Sequence, residues 1–351
     1  MLYTNNMTQR IGFCCKWIDG PSQINGINQK DTASEFNTGT TTVTWLKRQT
    51  KEVAEQRLWD LMERNLNAVY KLVEKVGKLD EHLRMVRISS DILPVYTEPN
   101  FGYFYDQSGV RDYAERKFGD IGRMARLHNV RLSFHPGQFC VLASDNDDVV
   151  KRSIEEFEYH VDMARWMGYG REWHDHGFKI NVHIAGRRGP AGIVAALGRL
   201  SPEARNLITI ENEENAWGLD DCLSIGRDVA IVLDVHHHWV RTGEYIVASD
   251  DRVKQVESSW RGVRPTLHYS LSREDILGHH DPIIMPDMFA LLESGHKKQK
   301  LRAHSNFMWN RAVNMYVSEF WDNFDIQVES KAKNLASFAL YEELCRNKSN
   351  S

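Results

Sequence analysis

The chain has 351 residues, 42% hydrophobic and 26% charged, so it can bury a large core, and wholesale disorder is excluded. Forty-four Lys and Arg against 48 Asp and Glu leave a net charge of −4 with His neutral, which excludes coating of nucleic acid or membrane by bulk positive charge. The length suits two ordinary domains or one barrel of roughly 250 residues with insertions, and 15 histidines direct attention to metal ligation and proton transfer.

The opening MLYTNNMTQR lacks the apolar run of a secretion signal, and no stretch approaches the roughly 18 apolar residues of a membrane span. Cys14, Cys15, Cys140, Cys222 and Cys345 contain no C-x-x-C pair, which argues for reduced thiols. A cytoplasmic protein is expected, with no membrane partner. RIGFCC (10–15) predicts a first strand, followed by a Gly-, Asn-, Ser- and Thr-rich loop over 19–44 and a helix over 53–76. MVRISS (85–90) predicts the second, with irregular chain over 95–110 behind it, and VRLSFH (130–135) the third, before a helix over 153–168. KINVHIA (179–185), LITIEN (207–212), AIVLDVH (230–236) and PTLHYS (265–270) follow. The stretch 271–303 is irregular apart from a helical pattern over 285–295, and FDIQVES (324–330) predicts the eighth strand. Eight strands with helices between them are the count of an α/β TIM (β/α)8 barrel, although doubly wound sheets alternate in the same way. The reading is a single domain over 1–351 with insertions near 19–44, 95–110 and 271–303. All three leave C-terminal strand ends, where barrel enzymes build their sites.

Carboxylates and imidazoles stand at these strand ends: Glu98 after the second, His135 at the third, His183 at the fourth and Glu211 at the fifth. The sixth carries Asp234 and His237, the seventh His268; His304 lies beyond it, and Glu329 ends the eighth. Buried carboxylates are costly unless paired or bound to metal, so a mouth lined this way calls for cations. Mixed His and carboxylate donors suit Zn²⁺ or Mn²⁺. Nine donors exceed the need of one ion, so two or three divalent metals are expected, and clustered divalent ions suit phosphodiester cleavage. His236 flanks His237 and is the second choice there; His279 and His280 compete with His304. Lys16, Arg187 and Arg188, just past the first and fourth strands, are candidate phosphate contacts.

The segments IGFCC, RISSDILP, LSFHPGQF, NVHIAG, IENEE, LDVHHH, LHYS, AHSNF and VESKAKNLA run nearly end to end. Through them the chain resembles the UV damage endonuclease family, DNA repair nucleases related to endonuclease IV. The resemblance implies a TIM barrel with up to three divalent metals, manganese first, with zinc and magnesium as alternatives. Its substrate is damaged double-stranded DNA, nicked immediately 5′ to cyclobutane dimers and 6-4 photoproducts, with abasic sites as a further substrate. The products carry a 3′-hydroxyl and a 5′-phosphate, and the enzyme is expected to be monomeric. By motif the ligands carry over to His135, His183, Glu211, Asp234, His237, His268, His304 and Glu329. Glu211, Asp234 and Glu329 are the expected catalytic carboxylates. The D-x-x-H match favours His237, and the placement of AHSNF favours His304.

Three departures are visible: Glu98 stands where the family usually has His, Thr266 where it commonly has a Lys that can be carbamylated, and Ala185-Gly186 where it has a glycine pair. The family's lesion-probing Gln and aromatic map to Gln138 and Phe139, with Phe13 as a further wedge. A metal-dependent sugar isomerase or epimerase on the same barrel is the alternative; it would use fewer metals and no wedge.

Overall fold

The computed structural model describes residues 8–20 and 32–348; the N-terminal MLYTNNM and the part of the 19–44 loop over 21–31 lie outside the described residues. Eight parallel strands close into one barrel in sequence order. They are β1 (Ile11–Cys14), β2 (Met85–Arg87), β3 (Arg131–Phe134), β4 (Lys179–His183), β5 (Ile208–Glu211), β6 (Ala230–Asp234), β7 (Thr266–Tyr269) and β8 (Asp325–Val328). β1 pairs with both β2 and β8, which completes the ring. Each strand lies inside its predicted segment, and the TIM barrel is the fold.

The strands alternate polar and apolar residues, and the two sets point opposite ways. In β4, Ile180 and Val182 join the core beneath the helices. Lys179, Asn181 and His183 instead face the lumen: Lys179 Nζ lies 3.1 Å from His268 Nε2 on β7. Contacts between non-adjacent strands, such as this one and the Arg131–Asp325 pair at 2.7 Å, can only cross the barrel interior. Arg10, Arg131 and Arg264 all reach the buried Asp325 and close the N-terminal end of the lumen.

Outside the strands the expected amphipathic helix runs Lys51–Gly77. Thr50 accepts the Val53 amide hydrogen at its start, and the helix buries Leu58, Leu61, Leu66, Val69 and Val73. The helix expected at 153–168 begins earlier, at Asp147, because Asn146 caps it by accepting from the Asp148 and Val149 amides. The β7–β8 connection holds short helices at Met288–Glu293 and Lys298–Leu301 and packs a second apolar cluster of Trp239, Val240, Leu277, Met288, Leu291 and Leu301. Ser272 and His304 form an antiparallel bridge, so this excursion leaves and rejoins the barrel at one place. Among the described residues no helix is long and apolar enough to cross a membrane.

Candidate metal centre and nucleic-acid interface

Lumen-facing positions at the C-terminal strand ends bring seven of the predicted donors and His304 together. Glu211 is fully buried at the end of β5 and sits at their centre. Its Oε2 is 3.4 Å from His135 Nε2, and its Oε1 is 3.1 Å from His268 Nδ1 and 3.6 Å from His237 Nδ1. The rings of His135 and His183 lie 4.9 Å apart, and those of His183 and His237 5.5 Å apart. Glu329, just past β8, lies 3.4 Å from His268 and 4.0 Å from His304. Two triads have their donor atoms close enough to hold an ion, His135–His183–Glu211 and Glu211–Asp234–His268, and both use Glu211.

Asp234 ends β6 and starts the helix Val235–Thr242, where its Oδ1 accepts the His237 amide hydrogen at 2.7 Å. The strand expected to run on to His236 therefore stops at Asp234, and residues 235–242 are helical. The helix turns His237 to the cavity. His236 Nε2 instead meets the Leu301 carbonyl at 3.1 Å, and His238 Nε2 lies 3.0 Å from Glu244. His280 sets its ring edge-on to Trp309, with centroids 6.2 Å apart.

The charges are strongly perturbed. Burial opposes ionisation of Glu211, but His268 and His183 beside it outweigh burial and hold it well below the usual carboxylate range. Burial pushes Asp234 well above that range, with Glu211 and Glu329 adding repulsion. Burial also disfavours the His237 cation, yet Asp234, Glu211 and Glu214 raise it to about 9. Glu211 Oε1, Asp234 Oδ2, His183 Nδ1 and His268 Nδ1 are buried without hydrogen-bond partners. Orphaned acceptors from two acids and two imidazoles, converging in one lumen, fit divalent cations.

Other expected residues fall elsewhere. Glu98 does not join the cluster: its carboxylate accepts from the Asn100 backbone and side-chain amides at 2.7 and 2.8 Å within its own loop. Phe13 cannot be a wedge, since it is fully buried and packs edge-on against Trp17 at 5.8 Å. Alternation on β1 aims Phe13 outward at the helices. Phe139 is 84% exposed, and exposed Gln138 lines the cavity of about 900 Å³ above the donors. Lys16 is exposed; Arg187 and Arg188 are exposed too, but pair with Asp145 at 3.2 Å and Asp147 at 3.0 Å.

Three site residues escaped the sequence reading. Arg87 of β2 forms an ion pair with Glu329. Glu214, a cavity-lining carboxylate, lies 3.8 Å from His237 and 2.8 Å from Arg302. Lys179 reaches His268 from β4; burial lowers it to about 7 against the pull of Glu211. A charged residue at an alternate position of an otherwise apolar strand was the available signal for Arg87 and Lys179.

The family model described as UV-endonuclease UvdE matches residues 24–350. A curated relative described as a UV DNA damage endonuclease, from Bacillus cereus (strain G9842), is 25% identical over 317 residues, covering 87% of this chain and 88% of its own. The crystal structure of SacUVDE superposes with a TM-score of 0.71 at 22% identity, over 97% of this chain and 99% of its own. Endonuclease IV from Thermus thermophilus does so at 0.52 and 13%, over 80% and 94%. Both likenesses show the barrel fold.

Proposed function

The chain belongs to the UV-endonuclease UvdE family, DNA-cleaving hydrolases that act on UV damage, and from that premise we propose that it incises the backbone immediately 5′ to the lesion. The products are a 3′-hydroxyl and a 5′-phosphate. The substrates are cyclobutane dimers and 6-4 photoproducts in duplex DNA, with abasic sites in addition. The observation that carries this reading is the sharing of Glu211 by two donor triads. As a member of both triads Glu211 would serve as a donor to two ions, and paired ions suit displacement at phosphorus.

His135, His183, Glu211, Asp234, His237, His268, His304 and Glu329 would hold two or three divalent ions, manganese first and zinc or magnesium in its place. When bound, these ions polarise phosphoryl oxygens and lower the pKa of water. Arg87 fixes Glu329, and the Asp234 cap fixes the backbone at His237, so both donors are oriented before substrate arrives. Phe139 and Gln138 are both exposed, which leaves them free to fill the gap of a base drawn from the stack, and damage lowers the cost of that extrusion.

The test uses supercoiled plasmid, irradiated and intact, with metal content measured on the same protein. Chelated protein should not nick, and Mn²⁺ should restore nicking of irradiated DNA. Nicking that survives exhaustive chelation would overturn the reading.

A further inference from the structure

The β7–β8 connection places Lys297, Lys298, Lys300 and Arg302 within six residues on the rim of the donor cavity, which Lys300 and Arg302 line. All four are exposed. Arg302 is matched by Glu214, and Lys298 Nζ donates to the Arg241 carbonyl at 3.0 Å. Lys297 and Lys300 have no carboxylate partner among the described residues. Elsewhere on the mouth, the charges of Arg187 and Arg188 are already met by Asp145 and Asp147.

This rim is anchored. Leu301, between the cations, is fully buried in the second apolar cluster. Its carbonyl accepts from Ser272 Oγ at 2.5 Å and meets His236 Nε2 at 3.1 Å, one residue from the donor His237. The cations therefore sit on a packed platform, and little further chain ordering is needed when a ligand arrives.

We propose that residues 297–302 form a phosphate-gripping rim that holds the backbone of duplex DNA beside the cavity, with Lys297 and Lys300 as its contact cations. The proposal rests on the incision reading above. It also explains how a chain of net charge −4 engages a polyanion: the attraction is local, and charges more than a Debye length away are largely screened in salt.

Binding of full-length protein to a fluorescent duplex, read by anisotropy over a salt series, tests it. Each phosphate contact contributes about 0.9 to the slope of log affinity against log salt, so Lys297→Ala/Lys300→Ala should lower the slope by about 1.8. At about 0.1 M salt the same relation gives roughly eightfold weaker binding per contact, on the order of sixtyfold for the pair. Thermal melting and metal content should not change. Lys254→Ala, at an exposed position of the helix Asp251–Ser259, is the control and should bind as wild type. A wild-type salt slope in the double variant, while the wild-type chain still nicks irradiated DNA, overturns the rim alone. A wild-type chain that neither binds nor nicks irradiated duplex overturns the incision reading and the rim with it.

Discussion

Asp234 serves the local chain and the centre at once. Its Oδ1 caps the helix Val235–Thr242, while Oδ2 is buried without a hydrogen-bond partner, 3.8 Å from His237 Nδ1. Asn caps about as well as Asp, so Asp234→Asn should keep the helix and remove only the charge. Bound metal should fall by about one ion per chain, with unchanged circular dichroism; elemental analysis after stripping and reloading checks it, and full retention would refute the donor role. Gln138→Ala is the contrast, being exposed and outside both triads. It should keep its metal and lose preference for irradiated over intact plasmid, roughly ten- to a hundredfold, since a few kcal/mol of unstacking are at stake. Unchanged preference would remove Gln138 from lesion probing.

At the scale of elements, close approach governs the outer ring. Gly122 lies in the helix Ser108–Leu127, where a Cβ would come 1.9 Å from the Met167 carbonyl oxygen, just past the helix Asp147–Trp166. Alanine improves helix propensity by about 1 kcal/mol, but here the clash is with backbone that no rotamer change relieves. Overpacking should win, so Gly122→Ala is expected to cost about 1–3 kcal/mol and a few degrees of melting temperature, with metal content intact. Calorimetry that finds the variant more stable would show that the helices can part. The same scale explains what was legible. All eight strands were readable because each is a short β-branched or apolar run between breakers. Residues 235 and 236 read as continued strand because LDVHHH offers no breaker; the Asp234 cap, a side-chain-to-backbone bond, decided for helix.

For the whole molecule, buried neutral histidines couple stability to pH. Burial lowers His174 to about 3, against the pull of the Phe178 carbonyl, and His160 to about 4. The unfolded chain binds these protons below a pKa of about 6.5 while the folded chain does not. The stability they confer is therefore present above pH 6.5 and lost as pH falls toward 4, by up to about 1.4 kcal/mol per pH unit for each group. Urea unfolding between pH 7 and 5 should show this loss. His174→Asn, which tolerates the left-handed φ of 46° there, should flatten it; an unchanged slope would exclude His174 as a source.

The amino-acid sequence by itself determined the eight strands, the barrel, the family resemblance and eight converging donors, because strand period and strand-end position are local properties of the chain. It misplaced Glu98 and Phe13, and it did not reveal Arg87, Lys179, Glu214 or the rim at 297–302. Those depend on which residues of distant strands meet across the lumen and on where a long excursion folds back. Closure of the barrel and packing of Leu301 among Trp239, Leu277 and Met288 set both.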